Sequence, residues 1–120
     1  MAPIPKSALV VDDERTIADT LRMILSRAGY VAHAAYSAEQ ALEQVAGFAP
    51  DLLITDVMMP GKNGVELAIA IRQRYPECKV LLYSGIASSA HLLAEARRQG
   101  YEFSFVEKPV HPAELLRRVS

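Results

Sequence analysis

The chain has a single cysteine, Cys78. That excludes an internal disulfide and a zinc site built on cysteines, and Cys78 itself is read as an ordinary thiol rather than a reactive one. An excess of one charge is missing too: 13 Lys and Arg against 14 Asp and Glu leave a formal −1. So close a balance offers no bulk attraction to nucleic acid or to an anionic membrane. No apolar run reaches the length of a membrane span, and the opening residues MAPIPK lack the apolar stretch of a signal peptide. His33, His91 and His111 are not at metal-ligand spacing and are read as surface or packing residues. No repeat, low-complexity segment or linker divides the chain. The expectation is a cytoplasmic protein of one domain, with no membrane partner and no direct nucleic-acid binding.

What is present is a core. With 51% hydrophobic residues, 120 residues are enough for one globular domain, with its core at about 7–119. Ser7 to Val11 is a buried-strand candidate ending in the acids Asp12, Asp13 and Glu14. Arg15 to Ala28 has helical spacing, with Ile17, Leu21, Ile24, Leu25 and Ala28 on one face and Gly29 as its stop. Tyr30 to Tyr36 is a weaker strand. Ser37 and Gln40 suggest a capping box for a helix whose inner face is Ala38, Ala41, Leu42 and Val45. Leu52 to Thr55 is an apolar run short enough for a central strand, ending at Asp56, and Pro60-Gly61 turns the chain. Leu67, Ala68, Ile71 and Tyr75 stripe a third helix that Pro76 ends. Lys79 to Tyr83 is a fourth strand, ending at Ser84-Gly85. Ser88-Ser89 precede a helix carrying Leu92, Leu93 and Ala96 and stopped by Gly100. Phe103 to Val106 is a fifth strand, and Leu115, Leu116 and Val119 line a last helix from Pro112.

Strands alternating with helices five times over imply an α/β protein with a parallel sheet covered on both faces. Right-handed crossovers leave few topologies. The flavodoxin-like doubly wound order 2-1-3-4-5 is expected, with the switch point between strands one and three.

In that order the carboxyl ends of the strands bring together Asp12, Asp13, Asp56, Ser84 and Lys108. Three carboxylates in one place repel unless a cation sits among them. Mg²⁺ suits a few carboxylates with carbonyls, waters and phosphate oxygens, and a lysine with a hydroxyl suits a phosphoryl group. Each residue alone has a plainer role: Asp12-Asp13 as helix cap and dipole partner, Ser84 as a hydroxyl near a helix start, Lys108 as a surface lysine, Met58-Met59 as packing. Together, at the tips of four strands, they describe a phosphoryl site with an acidic nucleophile in its middle.

LVVDDE at 9–14, DVMMPGKNG at 56–64, YSG at 83–85 and VEKP at 106–109 resemble the receiver domain of bacterial two-component response regulators, a CheY-like likeness covering about Ser7 to Val119. The resemblance implies that Asp56 is the phospho-acceptor. It implies that Asp13, Asp56 and the Met58 backbone carbonyl hold Mg²⁺ directly and Asp12 through water. It makes Ser84 the switch hydroxyl, Phe105 the switch aromatic and Lys108 the partner of the phosphoryl oxygens, with a cis Lys108-Pro109 bond. Asn63 stands where Asp is frequent and Gly85 where Ala is commoner. Phe105 lacks the hydroxyl of some members, and YEFSFVEKP departs from the winged-helix DNA-binding subfamily.

The implied function is a phosphoryl-accepting switch rather than an enzyme. A sensor histidine kinase or phosphotransfer protein is the donor. The fourth helix, fifth strand and fifth helix form the readout face and a candidate homodimer surface. Apolar Met58 and Ile86, two residues beyond the acceptor and the switch hydroxyl, imply slow loss of the phosphoryl group. The alternatives are a flavodoxin-like cofactor binder, which three acids after strand one disfavour, and a receiver that only binds partners, which the intact acid-Ser-Lys set disfavours. The last helix has only Ala113 to Ser120, about two turns, and no cap. The expectation is that the chain continues into a longer helix or an output or kinase module.

Overall fold

A computed structural model describes residues 6–85, 90–109 and 111–119. The strands are β1 (Ser7–Val11), β2 (Val31–Ala35), β3 (Leu52–Asp56), β4 (Lys79–Ser84) and β5 (Ser104–Glu107). They form one parallel sheet in the order β2-β1-β3-β4-β5, as expected. The helices α1 (Arg15–Arg27), α2 (Ala38–Gln44), α3 (Gly64–Arg74) and α4 (Ala90–Arg98) cross between successive strands, and α5 (Pro112–Val119) follows β5.

Because side chains alternate along a strand, each strand feeds two cores. Ala8, Val10, Leu52, Ile54, Leu81, Tyr83 and Val106 face one side and meet Ala18, Leu21 and Leu25 of α1 and Leu115 and Val119 of α5. Leu9, Val11, Leu53, Val80 and Leu82 face the other and meet α2, α3 and α4 through Ala38, Ala41, Leu67, Ala68, Ile71 and Ala96. The central strand β3 is buried along its whole length, which is why it opens on the unbroken apolar run Leu52-Leu53-Ile54.

Element ends differ from the sequence reading for local reasons. The second strand is shorter than Tyr30–Tyr36. The Tyr30 N–H is taken by the Leu25 carbonyl at the end of α1, 3.1 Å away, and the Tyr36 N–H by the Gln40 side chain, 2.9 Å away. The Ser37–Gln40 capping box is therefore incomplete. Ser37 accepts from the Gln40 N–H at 3.1 Å, but Gln40 reaches back to Tyr36 instead of Ser37. A full box occurs at α3, where Asn63 accepts from the Glu66 N–H and Glu66 from the Asn63 N–H; the N-x-x-E spacing was there to be read. The fifth strand lies one residue later than Phe103–Val106, because pairing with β4 begins at Ser104, opposite Leu81, and runs on to Glu107, opposite Ser84; Phe103 stacks on Tyr101 before it. Gly29 and Gly100 end α1 and α4 with φ of +103° and +92°, and Ala28 caps α1 rather than extending it. In α5, Leu115 and Val119 are buried, Leu116 is half-buried, and Arg117 and Arg118 face solvent and pair with Glu114. Ser88 and Ser89 lie outside the described residues.

The start of α3 is pressed against the end of β3. A Cβ built on Gly64 would stand 1.9 Å from the Asp56 carbonyl oxygen, and the Gly64 N–H donates to the Val57 carbonyl at 2.8 Å. Gly64→Ala is expected to lower the free energy of unfolding by about 2 kcal/mol or more, since backbone must move to admit one methyl. Urea denaturation of the two proteins measures it, and equal midpoints would show that the contact yields.

Candidate functional site at the carboxyl edge of the sheet

β1 and β3 are neighbours, with Val10 opposite Ile54. Counting on by twos from Val10 and Ile54 puts Asp12 and Asp56 on the α1/α5 side of the sheet, just where the strands end. Asp12 has no solvent exposure and Asp56 is 6% exposed. The Asp12 Oδ1 accepts from the Glu14 N–H at 2.8 Å. The Asp56 backbone carbonyl accepts from the buried Thr55 hydroxyl at 2.9 Å. Asp13 is exposed, and one carboxylate oxygen each from Asp12, Asp13 and Asp56 lie within 4.8 Å of one another.

Lys108 enters from the end of β5. Its N–H donates to the Ser84 carbonyl at 3.1 Å, and the Lys108–Pro109 peptide bond is cis, as the family likeness implied. The Lys108 Nζ stands 3.3 Å from both the Asp12 Oδ2 and the Asp56 Oδ2, and 4.8 Å from the centre of the Tyr83 ring. The Tyr83 hydroxyl donates to the same Asp12 Oδ2 at 2.5 Å.

Burial pushes the Asp56 carboxyl above the usual range. Lys108 opposes this, the Asp12 charge adds to it, and the Met58 N–H opposes it more weakly. Burial alone would lower the Lys108 ammonium, but Asp56 and then Asp12 hold it above the ordinary value. Burial, with the bond to Asp12, drives Tyr83 far above the tyrosine range, so it stays a donor. The cluster offers oxygen ligands to a hard cation and an ammonium to an anion, side by side.

Asp12, Asp13, Asp56 and Lys108 are thus brought together. Ser84 is buried at the tip of β4 and joined to Lys108 through its backbone. Phe105 is half-buried on the opposite side, packed against the α2–α4 core and lining a groove with Leu93, Ala96 and Phe103. The methionine pair divides: Met59 packs in the core while Met58 is 44% exposed, so packing describes only one of them. Ile86 lies outside the described residues. Cys78 is buried, and burial lifts its thiol to about 11, in keeping with an unreactive role. Tyr83 enters the sequence reading only within YSG at 83–85, with no role of its own. The signal was its register opposite Asp56, which gives both the same face.

A family model for the response regulator receiver domain matches residues 8–120. Solved structures are similar over nearly the whole chain. A CheY-like response regulator receiver domain protein from Methanospirillum hungatei is 28% identical, with a TM-score of 0.86, over 97% of this chain and 91% of that one. A putative response regulator from Chloroflexus aurantiacus is 34% identical, with a TM-score of 0.79, over 97% and 95%. The receiver domain of NtrX from Brucella abortus is 32% identical, with a TM-score of 0.79, over 93% of each. Among the described residues no helix is long and apolar enough to cross a membrane.

The raised Asp56 carboxyl has a consequence for stability. The folded chain holds this proton more readily than the unfolded chain, whose aspartate titrates near about 3.9. The group's contribution to stability therefore rises as pH falls through its folded pKa. In chelator at neutral pH, Asp56→Asn is expected to melt a few degrees above wild type, with the gap closing as pH falls toward about 4. Calorimetry across that range checks it; an Asn variant that melts lower at neutral pH contradicts it.

Proposed function

Because this chain belongs to the response regulator receiver domain family, we propose that it is a signalling switch in which Asp56 accepts a phosphoryl group from a phosphohistidine of a sensor kinase or phosphotransfer protein. The observation that carries this reading is one ammonium, that of Lys108, standing 3.3 Å from both Asp12 and Asp56 beside a third carboxylate. An Asp56 oxygen attacks phosphorus in line; the new P–O bond forms as the P–N bond to the donor imidazole breaks. Lys108 swings its charge toward the incoming phosphoryl oxygens, leaving Asp12 to its other donors. Asp56 is held for attack by the Thr55 hydroxyl, which donates to its carbonyl, and by the start of α3 at Gly64, packed against that same carbonyl.

Three converging carboxylate oxygens fit a hard divalent ion. Asp13, Asp56 and the Met58 carbonyl would hold Mg²⁺ directly and Asp12 through water. When bound, the ion offsets the crowded negative charge of the carboxylates and the phosphoryl oxygens. Asp12 is suited to the indirect role because its Oδ1 and Oδ2 both already accept hydrogen bonds from the chain. Phosphorylation then biases a two-state equilibrium, with Ser84 drawn to the phosphoryl group and Phe105 repacking behind it. The face of α4, β5 and α5 is the readout, and a second copy is one partner for it. The groove beside Phe105 supports that choice.

Intact mass after incubation with Mg²⁺ and acetyl phosphate tests the acceptor. Wild type should gain one phosphoryl group and Asp56→Asn none; equal modification of both sinks the assignment. Titration calorimetry tests the ion. Asp13→Ala should bind Mg²⁺ at least about tenfold more weakly, a loss seen even when an outer-shell partner is removed. Unchanged affinity would reduce Asp13 to a residue at a helix start.

A further inference from the structure

Tyr83 sits in the α1/α5 core, 2% exposed, with its hydroxyl at the functional edge. It shares a face with Asp12 and Asp56, and its ring is long enough to reach from β4 past β3 to the tip of β1. Asp12 has no solvent exposure, so it must be solvated by the chain. Its Oδ1 is served by the Glu14 N–H at 2.8 Å. Its Oδ2 is served twice, by Tyr83 at 2.5 Å and by Lys108 at 3.3 Å. The same Lys108 serves Asp56 at 3.3 Å, and its Nζ lies 4.8 Å from the Tyr83 ring centre.

We propose that Tyr83 is a positioning residue of the phosphoryl site: its hydroxyl satisfies Asp12 so that Lys108 stays shared with Asp56, and its ring holds the Lys108 ammonium in place. Without the hydroxyl, Lys108 is the one remaining donor to the Asp12 Oδ2 among the contacts described. Each carboxylate then keeps one backbone N–H, from Glu14 at Asp12 and from Met58 at Asp56, and an ammonium between two such groups moves toward the more deeply buried one. That one is Asp12, and the group that should meet the phosphoryl oxygens is drawn off Asp56. The ring acts separately, through attraction of the cation to its face. A core residue valued for volume alone would need neither the hydroxyl nor its aim.

This inference rests on the phosphoryl-acceptor reading, and Tyr83→Phe and Tyr83→Leu separate its two parts. Phenylalanine keeps the ring and the packing; leucine removes both ring and hydroxyl. With acetyl phosphate, Tyr83→Phe should react about tenfold more slowly at saturating Mg²⁺, the scale of a lost hydrogen bond to a charged group, while half-saturation by Mg²⁺ stays within about twofold. Proton NMR of the Lys108 side chain, assigned with Lys108→Arg, reads the geometry without any phosphodonor. The ring should displace the Lys108 methylene signals in wild type. Tyr83→Phe should move them while keeping a ring-induced displacement, and Tyr83→Leu should return them to the values of a free lysine. Lys108 signals identical in wild type and Tyr83→Phe overturn the proposal, as does a Tyr83→Phe rate equal to wild type. If wild type itself takes up no phosphoryl group, the acceptor reading fails instead, and the Lys108 signals still decide the role of Tyr83.

Discussion

One ammonium group standing between two buried carboxylates is the constraint on which the site depends. Lys108 is 96 residues from Asp12 and 52 from Asp56 along the chain, so the contact joins the ends of β1, β3 and β5 only when the whole sheet has formed. Such a pair is a poor source of stability, because taking charges out of water costs about as much as their attraction returns. The stability comes from the two apolar layers below, and the charged edge is carried by them. A protein selected for stability alone would have no reason to put Asp56 where burial works against its charge.

The alternation of strand side chains explains why the edge is built as it is. Val10 and Ile54 are core residues on the α1/α5 face, and the next residue on that face of each strand is an acid. The same rule that fills the core thus delivers the carboxylates to its rim, close enough to the apolar layer to be desolvated. Tyr83 belongs to both regions, with its ring in the core and its hydroxyl on Asp12. Phe105, of the other parity, belongs to the opposite core and its groove, so a shift of β5 there would be felt away from the acids.

Most of this was legible in the chain, and the exceptions have physical causes. Element order, sheet order and the gathering of Asp12, Asp13, Asp56 and Lys108 follow from short apolar runs ending in charge, because buried parallel strands leave that pattern. Strand ends were less legible: whether Tyr30 and Tyr36 pair depends on competing acceptors at Leu25 and Gln40, which are a matter of geometry. The cap at Asn63 is readable from the spacing of Asn63 and Glu66. The split of Met58 from Met59, one exposed and one buried, depends on a turn that no apolar pattern describes. Tyr83 stands in the YSG motif, yet its part in the site is hidden there because a tyrosine inside VLLYS looks like any strand aromatic; its meaning lies in register, which pairs it with Asp56.

The tight meeting of Gly64 with the Asp56 carbonyl makes the Asp56 backbone an anvil. With the first turn of α3 against it and the Thr55 hydroxyl bonded to the same oxygen, that peptide has no slack to absorb a displacement. A bulky group attached to the Asp56 side chain cannot be accommodated by letting the strand end recoil. The strain of its arrival is instead passed outward, to side chains and neighbouring strand tips that have room to give. A stiff fulcrum of this kind turns a local chemical change into movement elsewhere, and one missing methyl group makes it stiff.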